Sequence, residues 1–171
     1  MKSFVMGSEP ESNEDTPQPL GNLTIELVPS SSWGDNLRSR LKQSQWDMLR
    51  KKAYAAANHQ CEICGGKGTN QGYNWPVECH EVWDYDDKTH VQKLVRLISL
   101  CPRCHQVKHF GLAQMRGQGE RALQHLGKVN GWTKAAALEH SYKALALWSV
   151  RSQQDWHLDL SHLSQYGIEL A

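Results

Sequence analysis

The stretch Leu100–His109, "LCPRCHQVKH", holds Cys101, Cys104, His105 and His109 within nine consecutive positions. A second pair, Cys61 and Cys64, repeats the same two-residue spacing upstream in "CEICGGKG". With five cysteines in all, two CxxC pairs point to a zinc site rather than a disulfide framework. One pair on a turn and one at a helix start bring four sulfurs within reach of a single ion. Four thiolates leave no open coordination position, so this zinc would be structural and would contribute folding free energy directly. Cys79, the fifth cysteine, reads as a small buried apolar group.

The histidines raise a different chemistry. His105 and His109 are four residues apart, so a helix carries both imidazoles on one face, where they can share a second metal. His105 follows Cys104 directly and therefore leaves the helix in another direction from the zinc. On spacing alone the two rings suit solvent or phosphate as well as a metal. His80, in "VECHEVW", lies in the insert between the cysteine pairs, on a segment expected to hairpin back toward that helix. As a strand it would show Glu78, His80 and Val82 on one face, with Val77, Cys79 and Glu81 on the other.

The order CxxC, then a histidine on a hairpin, then "LCPRCHQVKH" resembles the zinc-knuckle branch of the HNH endonucleases. The likeness covers Cys61 to His109. It implies a ββα-metal core on a treble clef, hydrolysis of DNA phosphodiesters, a structural zinc, and a second divalent cation such as Mg, Mn, Ni or Zn. It places His80 where the family keeps its general base, and His105 and His109 where it keeps helix metal ligands, so these three are the catalytic candidates. Two positions depart from the family pattern. Cys79 stands where an acid or histidine usually precedes the base, and Arg96 stands near the usual asparagine. The site would then recruit Glu78, Glu81, Asp84 or Asp86. Otherwise the scaffold has lost its chemistry and binds nucleic acid or nucleotide, with Arg96 clamping phosphate.

Charge is compatible with a polyanion partner. The net charge is +1, but residues 36–52 hold six Lys/Arg and one acid, and residues 88–119 hold six Lys/Arg and no acid. Arg50, Lys51, Lys52, Lys93, Arg96, Arg103, Lys108 and Arg116 are the expected contacts to the backbone of nucleic acid, most naturally double-stranded DNA. An ordinary solvated surface would look similar, and a zinc-stabilised protein-interaction module is a third reading. Most of the seven tryptophans serve as core or cover, with one or two left to stack on bases or line a groove. No apolar run is long enough for a membrane span and no secretory h-region opens the chain, so the expected compartment is the cytoplasm.

Around this centre the pattern predicts an α+β chain: a small zinc-bound ββα-metal core with added helices, mainly C-terminal. Residues 1–20 are acidic and Pro-rich, a tail expected to be disordered. Residues 21–58 hold a strand, "LTIELV", and a basic helix capped at Ser44. Residues 59–112 are the metal core, with "YNWPVECHEVWDYDD" and "VQKLVRLISL" as its strands. Its helix starts at Pro102 and ends near Gly111. Residues 113–171 form a helical extension, including a long helix from Thr133 with Leu138, Tyr142, Leu145 and Trp148 on one stripe.

Overall fold

Between the two cysteine pairs the chain makes one antiparallel hairpin, β1 (Glu78–Asp86) and β2 (Val91–Leu100). Asp86 caps its turn by accepting from the backbone N–H groups of Lys88 and Thr89. A short third strand, β3 (His157–Asp159), adds parallel to β2, giving the sheet order β1-β2-β3. The computed structural model describes residues 21–170, and the acidic segment 1–20 lies outside the described residues. The fold is mixed α+β.

The helices are α1 (Leu37–Arg40), α2 (Gln43–Ala56), α3 (Pro102–Lys108), α4 (Phe110–Met115), α5 (Gly119–Asn130) and α6 (Lys134–Arg151). Two apolar clusters form. Ile98 and Leu100 pack with Val107, Phe110, Leu123, Leu126 and Ala137, which belong to α3–α6. Leu94 packs with Leu37, Trp46, Leu49, Leu163 and Ile168, from α1, α2 and the C-terminal segment. The register shift between Val82 and Trp83 passes over Val95 on β2. Such a bulge resets the alternation, so Leu94 and Leu97 serve the same cluster despite an odd spacing.

"LTIELV" is not a strand. Leu23 and Ile25 are buried as the alternation requires, but helices answer their backbone. Asn130 on α5 accepts from the Leu23 N–H at 2.8 Å and donates to its carbonyl, and His140 on α6 accepts from the Ile25 N–H at 2.9 Å. The backbone groups of the buried Leu23 and the Ile25 N–H are thus paired by side chains of α5 and α6 instead of by a neighbouring strand. Lys42, not Ser44, precedes α2. The helix at Pro102 breaks at His109, and Gly111 lies inside α4 rather than ending α3. Thr133 does cap α6, accepting from Ala136 N–H. The buried positions of α6 are Ala137 and Ser141, while Tyr142 is 67% exposed. Small residues there allow α6 to approach closely, and Tyr142 falls outside that face.

The segment also holds α3 through charge. Lys108, expected to contact nucleic acid, is buried, and its Nζ donates to Glu26 Oε1 at 2.6 Å and to Thr24 Oγ1 at 3.0 Å. It is therefore a structural cation. Removing the carboxylate leaves a buried ammonium without its counter-charge, a change that typically costs about 3–5 kcal/mol. Glu26→Gln should lower the unfolding free energy obtained from urea titration by an amount at or below the bottom of that range, because the carboxylate is 41% exposed, and Lys51→Gln on the exposed face of α2 should leave it unchanged.

Candidate metal centres

The first cysteine pair sits on a tight knuckle. Cys61 N–H donates to Gly66 O, Gly65 N–H donates to Cys61 O, and Gly65 takes φ +70, a left-handed conformation that glycine adopts without strain. Backbone amides point at the sulfurs: Cys64 N–H to Cys61 Sγ at 3.5 Å and Gly66 N–H to Cys64 Sγ at 3.4 Å. Glu62 ties the knuckle to β2, accepting from Ser99 N–H at 2.6 Å and from Arg96 Nη2 at 2.7 Å. Behind the knuckle, Gly68 is packed so closely that a Cβ there would lie 2.3 Å from the Trp75 carbonyl oxygen and 2.8 Å from Pro102.

The second pair opens α3. Cys101 is its N-cap, with Sγ accepting from Cys104 N–H at 3.5 Å. The four cysteine sulfurs lie within 4.8 Å of one another, and Cys64 and Cys101 Sγ are 3.6 Å apart. Tetrahedral zinc with Zn–S bonds of about 2.3 Å needs sulfurs roughly 3.8 Å apart, so Cys61, Cys64, Cys101 and Cys104 lie close enough to hold a zinc ion. The four thiols share protons: hydrogen bonds from Cys104, Cys61 and Cys64 pull Cys101 far below a free thiol, and Cys104 is pushed up in exchange. His125 on α5 also reaches this cluster, with Nε2 3.2 Å from Cys104 Sγ, a neighbour that the CxxC spacing does not announce.

His80, His105 and His109 form a second cluster, each offering one nitrogen within 4.8 Å of the others. His105 Nδ1 bonds the Glu78 carboxylate, whose other oxygen accepts from the Trp75 indole N–H at 2.8 Å. With its Nδ1–H held there, His105 presents the Nε2 lone pair inward. That Nε2 is 3.1 Å from His109 Nε2, close to the ~3.3 Å between nitrogens sharing one tetrahedral ion with bonds of about 2.0–2.1 Å. His80 is 5% exposed, and neither ring nitrogen has a hydrogen-bond partner among the described residues. Its nearest carboxylate oxygen, on Glu26, is 4.0 Å away, too far for a hydrogen bond. Burial holds His80 down at about 4, against a partial pull upward from Glu26. His109 opens to solvent on one side, yet desolvation by the protein around it, then the facing His105 and His80 rings, bring it down to about 3. Both rings are neutral near pH 7, the state in which imidazole binds a metal.

Three cavities reach these histidines. One is lined by Glu26, Glu81 and Asp84, one by Arg38, Arg50 and Tyr54, and one by Tyr73, Trp75, Arg116 and Arg121. Of the expected basic contacts, Arg50 and Arg116 line them. Lys51, Lys52, Lys93, Arg96 and Arg103 line none of the three. Arg96 is spent on Glu62, Lys52 lies 5.9 Å over the Tyr166 ring, and Lys93 faces Asp159 at 4.0 Å. Cys79 packs with the Trp46 cluster, and burial pushes its thiol up to about 12, which suits an inert apolar group. Asp86 is used in the hairpin turn. Glu26, Arg38 and Arg121 join the site from segments whose sequence carries no motif. No helix among the described residues is long and apolar enough to cross a membrane. Compared with protein-family models, curated proteins and solved structures, the chain matches none of them.

Two outcomes follow from this geometry. Purified protein should carry one zinc per chain by elemental analysis, and Cys101→Ser should lose both the zinc and the cooperative thermal transition. The histidines give a pH signature. Their folded values are depressed from 6.5, so the unfolded chain takes up protons first as pH falls. The stability from the neutral rings is complete above about 6.5 and is lost as pH falls toward 4. Urea titrations of protein retaining its cysteine-bound zinc, with any exchangeable cation removed, should show that slope, and His80→Phe should reduce it by about half, leaving the His109 contribution.

Proposed function

We propose that this chain is a metal-dependent endonuclease of the HNH type acting on DNA, built on a treble-clef ββα-metal unit of the knuckle, the β1–β2 hairpin and α3. The observation that carries the reading is the three-histidine cluster: converging imidazoles, one held by a carboxylate and one buried with both nitrogens unpartnered. Packing alone gives no reason to bury a histidine in this way, since an apolar ring would fill the space without unpaired polar atoms. The cluster supports a binding site for a divalent cation, with His80, His105 and His109 as ligands. The family likeness would make His80 the base. Its burial among the other two rings supports a ligand role better, because a base must reach a water beside the scissile phosphate.

When bound, such a cation supplies charge neutralisation at a phosphate oxygen and lowers the pKa of water. Glu78 keeps the His105 Nδ1–H and so leaves Nε2 free to bind. Arg38 and Arg116, in separate cavities that both reach the histidines, hold phosphates on either side of the scissile bond, while Arg50 beside Arg38 is paired to Asp47 at 2.7 Å. Glu81 lines two of the three cavities with His80, and burial raises its carboxyl above the ordinary range. We assign it the proton of the attacking water, since a raised carboxylate is the better base near neutral pH.

Cleavage of supercoiled plasmid and of circular single-stranded DNA in Mg, Mn or Ni tests the reading. Wild type should nick or cut, and His80→Ala and His105→Ala should abolish cleavage while retaining zinc. Glu78→Gln should weaken cation affinity by about 10–100-fold, and Glu81→Gln should slow cleavage at unchanged cation affinity. Zinc-loaded wild type that cleaves in none of these metals would sink the nuclease reading.

A further inference from the structure

The cavity between β1 and α4 has a feature that phosphate binding does not use. Trp75 is 43% exposed at its rim. Its only polar atom is already satisfied by Glu78, so the ring stays in water with its edge fixed. Tyr73 stands beside it, ring centroids 5.5 Å apart. Leu112, 46% exposed, adds apolar surface from α4 on the same cavity. Arg116 and Arg121 line it as well. Neither arginine forms an ion pair among the described residues, and Arg121 makes only a 3.3 Å bond to the Gln106 side-chain oxygen. The one acid on this cavity, Glu78, is engaged by His105 and Trp75. The result is an aromatic shelf with two free guanidinium groups, continuous with the histidine cluster.

We propose that this groove seats a single strand of DNA, with an unpaired base stacked on Trp75 beside the histidines and the flanking phosphates on Arg116 and Arg121. A duplex buries its base faces against one another and offers only edges and backbone, so an exposed indole gains little from it. An unpaired nucleotide offers the face that stacks, and a basic groove with an aromatic shelf is the usual way to hold it. The assignment rests on the nuclease reading for its choice of DNA, and it makes single strands, or unpaired nucleotides in a duplex, the substrate class.

The test is binding, measured without divalent cation so that it is independent of cleavage. Fluorescence anisotropy would compare a short labelled oligo-dT strand, the same strand paired with oligo-dA, and the matching RNA strand. The single DNA strand should bind tightest. Trp75→Ala should weaken it by about tenfold, the size expected from losing one stacked base, and leave duplex affinity unchanged. Trp75→Phe keeps a stacking face but loses the N–H to Glu78, so it should retain most of the affinity. Arg116→Ala and Arg121→Ala should each reduce the salt slope by about one contact. Zinc content and circular dichroism check that each variant is folded. Equal or tighter binding of duplex, tighter binding of RNA, or a Trp75→Ala effect of the same size on strand and duplex would overturn the proposal. Cleavage of duplex alone would leave the nuclease standing and remove this inference. Trp75-dependent binding without cleavage in any metal would do the reverse.

Discussion

Cys101 stands where three separate requirements meet. It follows the last residue of β2, its sulfur belongs to the four-cysteine cluster, and the same sulfur caps α3. A helix turns about 100° per residue, so once Cys101 and Cys104 face the knuckle, the directions of His105 and His109 follow. They project toward β1, where the register sets His80 opposite Ile98. The orientation of the second cluster is thus a consequence of how the first is closed. Glu62 reinforces the same joint, since its backbone and carboxylate both bind Ser99, two residues before Cys101. A one-residue slip in the hairpin would turn His80 to the other face of the sheet.

Charge around the histidines is divided rather than uniform. The cavity beside the N-terminal segment carries Glu26, Glu81 and Asp84 against one arginine, Arg151, which is paired to Asp87. The second carries Arg38 and the Asp47-paired Arg50 with Glu78 and Glu81, and the third carries Arg116 and Arg121, unpaired among the described residues. The proposed polyanion would meet unpaired arginines on the Arg116–Arg121 side and carboxylates on the Glu26–Asp84 side, with Glu81 between the acidic cavity and the Arg38 cavity. The acidic and the Arg38 environments thus share Glu81 as well as His80 and His109.

The parts of this arrangement legible in the sequence are those fixed by covalent spacing. Two CxxC pairs, the i,i+4 histidines and the alternation in "VECHEVW" all act over a few residues, where backbone geometry dictates direction. What escaped depends on partners far along the chain. "LTIELV" has a strand's alternation, yet Asn130 and His140 satisfy its backbone from more than a hundred residues away. Lys108 sits in a basic run, but Glu26 draws it inside, which no local pattern announces. Arg96 looked available for phosphate and is paired to Glu62 instead. The bulge at Val95 left no mark in a segment that is apolar almost throughout. Charged residues were the least legible because a charge in sequence does not reveal its counter-charge.

The same reasoning gives weight to His80. Ser32, Trp46, Gln92 and Ser99 each bury one unpartnered side-chain atom, and among the described residues His80 alone buries two. Lys108 has Glu26 and Thr24, and the Leu23 backbone has Asn130. A chain that satisfies these at such sequence distances leaves both nitrogens of a 95%-buried imidazole unpaired, next to two further rings whose nitrogens converge on the same point. An unmet polar group in a well-packed interior is destabilising by about 1–3 kcal/mol. Local breaches of the packing rules concentrate where function needs them. Phenylalanine would fill this space without the unpaired nitrogens. What distinguishes histidine here is a ring nitrogen within 4.8 Å of one on each of two further histidines, and the proposed cation is the ligand that would use all three at once.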